Sequence, residues 1–436
     1  MTSDPPPDKQ RASTGQMLFL NASQVVTCAG PARARRGAEM GDAAIRSDVG
    51  VCIDGDKIAA VDSVPELHKR FPRAREIDCR NGVLMPGLVD SHTHGVFGRP
   101  RYDEQEMRAA GLDYMEIARR GGGIHSSVRD LRTKSEDVLF ELAFSRLERL
   151  ASFGTTTVEV KSGYGLTLDD ELKTLRVIAR LADALPLRIV PTFLGAHEIP
   201  LEHRGSAGTR QAYVDAVIQE MIPAVARQQL ARFADVFCET GVYTVEESRA
   251  ILTTAREAGF LIKLHADELT SSGGAELAAS LGATSADHLA AISDAGIAAL
   301  SQGSTVATML PGTMLFLGKT KHAPARRLIE AGVPIALATD FNPGTSPTPN
   351  LPLIMTLGVS QLHLSVAEAL IAATVNGAAA LALADQIGQI APGFSADLAL
   401  FDIRDARELP YWYGDNRCIA TFARGKACHT SDLGLT

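Results

Sequence analysis

Short apolar runs separated by longer segments of helical period dominate the middle of the chain. Eight runs read as strands: Gly-Leu-Val-Asp (87–90), Thr-Thr-Thr-Val-Glu-Val (155–160), Arg-Ile-Val-Pro-Thr-Phe (188–193), Asp-Val-Phe-Cys-Glu (235–239), Leu-Ile-Lys-Leu-His (261–265), Ser-Ala-Asp-His (285–288), Thr-Val-Ala-Thr-Met (305–309) and Ile-Ala-Leu-Ala-Thr-Asp (335–340). Between most of them apolar positions recur every three or four residues, as in the amphipathic stretch 169–181. Repeated β-α units of this number and length predict an α/β fold, a (β/α)8 TIM barrel over residues 84–384, in preference to an open doubly wound sheet.

The ends read differently. From Met17 to about Cys79 the runs are short and β-like, and Asp54-Gly55 between two of them signals a hairpin. Near the C-terminus, 396–402 and 418–426 repeat that character. Two β-rich ends around one long middle predict a small composite β-sandwich domain from residues 17–83 and 385–436. Residues 1–16 are polar and proline-rich with no apolar core, so they predict a disordered tail in place of a signal peptide.

Composition narrows the function classes. With 45% hydrophobic and 22% charged residues the chain of 436 reads as a globular enzyme, long enough for a barrel plus an appended domain. The formal net charge is −8, and the densest basic cluster, 33–36, is short, so neither nucleic acid nor a membrane surface is expected as a partner. No run of eighteen apolar residues suggests a membrane span. Six cysteines are scattered without a Cys-x-x-Cys pair. That pattern predicts a reduced, cytoplasmic protein with no disulfide frame and no thiolate zinc site.

The chemistry gathers at the C-terminal ends of the expected strands, where a barrel carries its active site. His92 and His94 follow the first strand, and in extended backbone residues i and i+2 face the same way, so both imidazoles can meet one ion. His265 ends the fifth strand and Asp340 the eighth. Alone, the His-x-His pair reads as two surface histidines of a loop, and His265 or Asp340 as a helix cap or a hydrogen-bonded loop residue. Together they bring three histidines and one aspartate to one mouth and leave an open position for water, a set that suits one divalent metal ion, Zn or Fe.

His-x-His after strand one, His after strand five and Asp after strand eight resemble the amidohydrolase superfamily. Its dinuclear members carry a carboxylated lysine on strand four, whereas here that segment, 235–243, has no lysine; the resemblance therefore implies one metal ion. Longer motifs are similar to those of the imidazolonepropionases within it. They are 86–98, Gly-Gly-Gly-Ile (121–124), 154–166 with Lys-Ser-Gly-Tyr-Gly, Thr-Phe-Leu-Gly-Ala-His (192–197), His-Ala-Asp-Glu (265–268), 285–289 and 337–348 with Asp-Phe-Asn-Pro-Gly-Thr-Ser-Pro. Ser91, Gly95 and His125 depart from the family's usual residues, and none of them removes a metal-binding position.

That resemblance implies hydrolysis of the cyclic amide C–N bond of 4-imidazolone-5-propanoate to N-formimidoyl-L-glutamate, a step of histidine degradation. It implies His92, His94, His265 and Asp340 as metal ligands, with Glu268, His288 or Asp340 moving the proton. The implied substrate contacts are Arg101 on the carboxylate (with Arg99 as its rival), Tyr114, Tyr164, His197, Glu268, Asn342, Gly344 and Thr345. Glu268 is read as a residue that opens a helix. On bare sequence these are equally solvated arginines, packing tyrosines, a helix-start acid and turn residues. A homodimer is also implied by the resemblance. Two competing functions stand beside this one: a deaminase or cyclic amidase of the same superfamily acting on another anionic heterocycle, and a metal-free scaffold of the same fold.

Overall fold

The computed structural model describes residues 15–112, 116–117 and 120–431. Tyr114 and residues 1–14 of the expected tail lie outside the described residues. Gln16, at the end of that tail, opens the first strand.

The chain begins with seven short strands: β1 (Gln16–Leu20), β2 (Gln24–Val26), β3 (Ile45–Arg46), β4 (Gly50–Asp54), β5 (Lys57–Asp62), β6 (Arg75–Asp78) and β7 (Val83–Pro86). The barrel follows as β8 (Leu88–Asp90), β9 (Thr155–Lys161), β10 (Arg188–Ala196), β11 (Phe233–Cys238), β12 (Leu261–Ala266), β13 (Ser285–His288), β14 (Val306–Met309) and β15 (Ile335–Leu337). Three strands close the chain: β16 (Leu398–Phe401), β17 (Cys418–Ala423) and β18 (Lys426–Thr430).

The eight barrel strands pair in parallel in chain order. Just beyond β8 and β15 the ring closes: the Asp340 amide donates to the His92 carbonyl at 3.0 Å, and the His94 amide to the Phe341 carbonyl at 2.8 Å. Asp90 reinforces the seam, its carboxylate accepting from the Thr339 amide at 3.0 Å and hydroxyl at 2.6 Å. All eight strands read from the sequence are present, and the expected TIM barrel is the observed fold. The last one ends at Leu337. Asp340 therefore stands three residues beyond its strand, where the chain has turned to a φ of +51°.

Helices cover the outside, each started by its own sequence. The helix Leu168–Ala184 has Thr167 as its cap, the hydroxyl accepting from the Asp170 amide at 3.2 Å, and buries Leu175, Ile178 and Leu181 at helical spacing against the barrel. The helix Val245–Glu257 opens with a reciprocal Thr244/Glu247 capping box. No helix among the described residues is long and apolar enough to cross a membrane.

Both chain ends build the second layer. One sheet runs β5-β4-β1-β6, and the other runs β18-β17-β16-β7-β2-β3. Asp54 and Lys57 face each other across the Gly55 turn, the hairpin expected from Asp-Gly. The sheets share an apolar interior in which the Phe19 and Phe422 rings meet edge-on at 5.1 Å. The division suggested at residue 84 falls inside β7, which belongs to this layer and continues through Gly87 into β8.

This layer grips the barrel at the N-terminal end of β9. The Thr421 hydroxyl donates to the Ala151 carbonyl at 2.8 Å and the Asn416 amide to the Ser152 carbonyl at 2.9 Å. Phe401 packs on Gly154, whose φ of +97° and missing side chain both matter: a Cβ there would lie 2.7 Å from the Phe401 ring. Docking at this end leaves the C-terminal mouth uncovered. Gly154→Ala is expected to lower unfolding stability by about 2 kcal/mol or more, from backbone strain plus overpacking; a urea titration with an unchanged midpoint would refute this account of the junction.

Candidate active site

Barrel closure places His92 and His94 beside Asp340, and β12 brings His265 to the same point from the other side. All four are buried. His94 Nε2 lies 3.3 Å from His92 Nε2 and 3.4 Å from His265 Nε2, while Asp340 Oδ1 is 3.6 Å from the Nε2 atoms of both His92 and His94. His92, His94 and Asp340 form one group of potential metal donors; His265 joins through His94, and His288 and His197 flank it.

Carboxylates stand behind two of the imidazoles: His92 Nδ1 is hydrogen-bonded to Asp287 Oδ2 at 2.6 Å, and His265 Nδ1 is 3.0 Å from Asp235 Oδ2, close but not aligned as a hydrogen bond. With its Nδ1 proton on Asp287, His92 presents an Nε2 lone pair to the centre. Burial, followed by neighbouring positive charge, pushes His92 and His94 well below the ordinary histidine range, so the rings are neutral at pH 7. Three Nε2 atoms and a carboxylate oxygen thus converge on one point, and N–H donors among them could pair only part of the set. A shared cation satisfies all. The separations are those of donors each about 2.1 Å from a common ion, so the residues fit the group the sequence implied.

A cavity of about 650 Å³ opens over this point, its wall including Arg101, Tyr164, His197, Glu268, His288 and Asn342. Arg101 and Arg99 separate cleanly: the Arg101 side chain is 9% exposed and that of Arg99 57%, the latter pairing loosely with Asp103. Arg101 lies against Gly344, which has no Cβ in its way, and its Nε has no hydrogen-bond partner among the described residues. Beside it, Glu104 accepts from the Gly123 amide at 2.8 Å and stands 3.5 Å from Arg101 and 3.8 Å from Arg108.

Tyr164 and His197 form the adjoining wall. The His197 ring stacks on His94 at 5.0 Å, and its Nδ1 is 3.0 Å from the Gly163 carbonyl. Burial lowers its pKa to about 3, and burial likewise raises that of Tyr164, which keeps its hydroxyl proton. Glu268 stands in a turn between β12 and the helix Gly274–Leu281, and does not open a helix as the sequence reading had it. The reason is Asp267, at φ +49°, whose carboxylate accepts the amides of Ser272, Gly273, Gly274 and Ala275 and so becomes the capping acid itself. Glu268 Oε2 is 3.6 Å from His288 Nδ1, and neither ring nitrogen of His288 has a hydrogen-bond partner among the described residues. Burial, then Asp340 and Glu239, push the Glu268 carboxyl up to about 8.

Asn342 is engaged within its own loop, accepting from the Gly344 and Thr345 amides and donating to the Asp340 carbonyl at 2.7 Å. It shapes the turn on which Asp340 and Thr345 sit. His125 is not among the cavity-lining residues.

The family model for the amidohydrolase family matches residues 83–428. An imidazolonepropionase from Symbiobacterium thermophilum is 46% identical over 94% of this chain and 96% of its own, and one from Geobacillus kaustophilus is 45% identical over 94% and 97%. The chain belongs to the imidazolonepropionase family. Membership makes it a hydrolase of a cyclic amide C–N bond in histidine degradation. Solved structures share the fold of this family at low identity: an adenosine deaminase from Xanthomonas campestris with bound zinc has a TM-score of 0.69 at 19% identity over 95% of this chain and 93% of its own. The atrazine chlorohydrolase of Arthrobacter aurescens complexed with zinc has a TM-score of 0.68 at 18% identity over 95% of each chain.

Several supporting residues escaped the sequence reading. Asp287 and Asp235 orient two imidazoles, and the Thr313 hydroxyl donates to Asp340 Oδ2 at 2.5 Å. Glu171, in the first turn of Leu168–Ala184, reaches back to accept the amides of Gly163, Gly165 and Leu166 at 2.8–3.2 Å, clamping the loop of Tyr164. Glu171→Ala is expected to cost about 3 kcal/mol, because it leaves buried amides without a charged acceptor. Chemical denaturation and amide exchange of residues 163–166 check it; protection unchanged from wild type would show the clamp to be idle.

Proposed function

We propose that this chain hydrolyses 4-imidazolone-5-propanoate to N-formimidoyl-L-glutamate with one divalent ion, zinc or ferrous iron, held by His92, His94, His265 and Asp340. The observation that carries the reading is the convergence of three buried Nε2 atoms and an Asp340 oxygen in the wall of a cavity that also holds the unpartnered Nε of Arg101. The activity named for the relatives and the zinc in the two structural neighbours support it. Imidazole and carboxylate donors suit zinc and iron alike, and the absence of lysine from β11 favours a single ion. When bound, the ion supplies Lewis acidity toward the ring carbonyl and brings the pKa of a water toward 7.

The protein's own groups do the rest. Arg101 grips the propanoate carboxylate with its planar fork, and Glu104 beside it holds that fork in place. The Tyr164 hydroxyl donates to the same end. His197, its Nδ1 proton given to Gly163, offers Nε2 to the ring, and the turn of Asn342, Gly344 and Thr345 closes over ring and product.

Hydrolysis adds the water oxygen to the ring carbonyl carbon, breaks the C–N bond and returns a proton to the departing nitrogen. Glu268 carries that proton: a carboxyl titrating near 8 both accepts from water and gives to nitrogen around neutral pH. His288, 3.6 Å away and neutral, steadies the developing oxyanion together with Glu268. Asp340 serves as a ligand, since Thr313 occupies its other oxygen. The six cysteines are all unpaired, which supports a reducing, cytoplasmic setting.

The test is turnover of freshly prepared 4-imidazolone-5-propanoate, with the product identified and bound metal counted by elemental analysis. One equivalent of zinc or iron and N-formimidoyl-L-glutamate are expected, and His265→Ala should lose both together. Ammonia release from a nucleobase with the imidazolone left intact would overturn the reading.

Arg101→Met is expected to raise KM roughly 30- to 100-fold, the equivalent of about 2–3 kcal/mol for a charge-assisted bidentate pair, with a smaller effect on kcat. Gly344→Ala should shift KM the same way, because its Cβ would overlap the Arg101 guanidinium. Steady-state kinetics decide; a fall in kcat at constant KM for both variants would place Arg101 elsewhere in the reaction.

A further inference from the structure

Beneath the four-donor point lies a second layer of side chains that the reaction does not use. TIM barrels fill this interior with branched apolar residues. Here five fully buried charged groups occupy it: Glu159 and Lys161 on β9, Asp235 on β11, Lys263 on β12 and Asp287 on β13. Strand geometry explains how they meet. Glu159 and Lys161 are two apart on β9, as are Lys263 and His265 on β12, so each pair faces the barrel interior together.

The contacts form one continuous arc of alternating sign. His265 Nδ1 rests on Asp235 Oδ2 at 3.0 Å, and that same oxygen accepts from Lys161 Nζ at 2.8 Å. Lys161 Nζ also reaches Glu159 at 2.8 Å, and Glu159 Oε2 is 3.1 Å from Lys263 Nζ. Lys263 Nζ stands 3.6 Å from Asp287 Oδ2, which meets His92 Nδ1 at 2.6 Å, and it donates to the Ser91 carbonyl at 2.7 Å. The arc thus begins on one imidazole of the candidate metal centre and ends on another.

We infer that Lys161 and Lys263 are positioning residues for the metal centre: each pins the carboxylate that orients one imidazole, and Glu159 joins the two halves. This rests on the metal reading above and goes beyond it. Burying ions is unfavourable, and an apolar replacement of similar volume is often neutral or better for stability, so the network is poorly explained by folding alone. Burial alone would strip the proton from Lys161, but Asp235, Glu159 and Asp287 outweigh it and keep the ammonium charged.

A role through orientation and a role through charge predict opposite signs for metal affinity. Lys161→Met removes a positive charge beside the ion; if charge alone mattered, zinc would bind more tightly. If orientation matters, Asp235 swings free, His265 loses the carboxylate that backs its ring and accepts its backbone amide, and zinc binds more weakly. The paired variant Glu159→Gln/Lys161→Met keeps the net charge and breaks the arc.

The experiment titrates chelator-stripped full-length protein with Zn(II) against a competing chromophoric chelator, and records the visible spectrum of the Co(II)-loaded form. We expect both variants, and Lys263→Met acting through Asp287 on His92, to weaken zinc binding roughly 10- to 100-fold and to alter the Co(II) bands, a signature that loss of barrel stability alone does not produce. Circular dichroism checks that each variant folds, and Lys263→Met probes the far end should Lys161→Met not fold. Affinity raised in Lys161→Met, or unchanged affinity and Co(II) spectrum in the paired variant, overturns the inference alone. Failure of the wild-type chain to hold any divalent ion overturns the metal reading and this inference with it.

Discussion

Convergence of nitrogen and carboxylate donors on one buried point is the constraint around which the mouth of this barrel is organised. His92 and His265 each turn Nε2 toward that of His94, at 3.3 and 3.4 Å, with an Asp340 oxygen close by. Backbone closure of the barrel holds the donors of separate strands together. The hydrogen bonds joining His92 to Asp340 and His94 to Phe341 both seal the barrel and set the distance between donors. The fold and the site therefore share one seam, and a loosened barrel would be a disassembled site.

The surrounding structure is a set of devices that hold single-residue geometry in loops. Glu171 clamps the Tyr164 loop, Asp267 caps the helix beyond Glu268, and Asn342 ties the turn beyond Asp340. Each is a short polar side chain, or a carboxylate, accepting several amides that no sheet or helix would otherwise satisfy. Loops carry the candidate chemistry, but they are not loose: backbone hydrogen bonds that secondary structure leaves open are closed by buried side chains. The sandwich supports this from the opposite end, gripping the base of β9 and leaving the mouth open.

Much of this was legible in the sequence, for identifiable reasons. Parallel strands buried on both faces give short apolar runs, so all eight were visible, and the Asp54-Gly55 turn announced its hairpin. Residues at or just past the ends of those runs, such as His265 and His92, could be read as sharing the mouth because barrel topology sends every strand end there. What stayed hidden depends on direction and not on position. Nothing in Asp-Glu at 267–268 says which acid caps the helix; that follows from Asp267 adopting a positive φ. Glu171 looked like an ordinary first-turn acid, favourable with the helix dipole, until the fold brought Gly163 back against it. One signal was present and unused: Glu159 and Lys161 alternate on a strand with no room for solvent, and ionised side chains at buried parity are rare enough to mark a built network.

The same scaffold in a deaminase and a chlorohydrolase, at under 20% identity, shows that the barrel does not choose the substrate. Choice has to come from groups the scaffold does not dictate, and the position of the cationic ones is informative. Arg101, Glu104 and Arg108 all stand on the excursion between β8 and β9, directly downstream of His94. The segment that begins with two candidate ligands thus also carries the guanidinium that reaches the cavity. A substrate held by Arg101 is measured from the same backbone that sets the donor atoms, which fixes the span between anion and reacting carbonyl more tightly than two independent loops could. On the proposed binding mode, the span available to an anionic arm is set mainly by residues 92 to 108, with the Gly344 turn, against which Arg101 and Arg108 pack, as its second support.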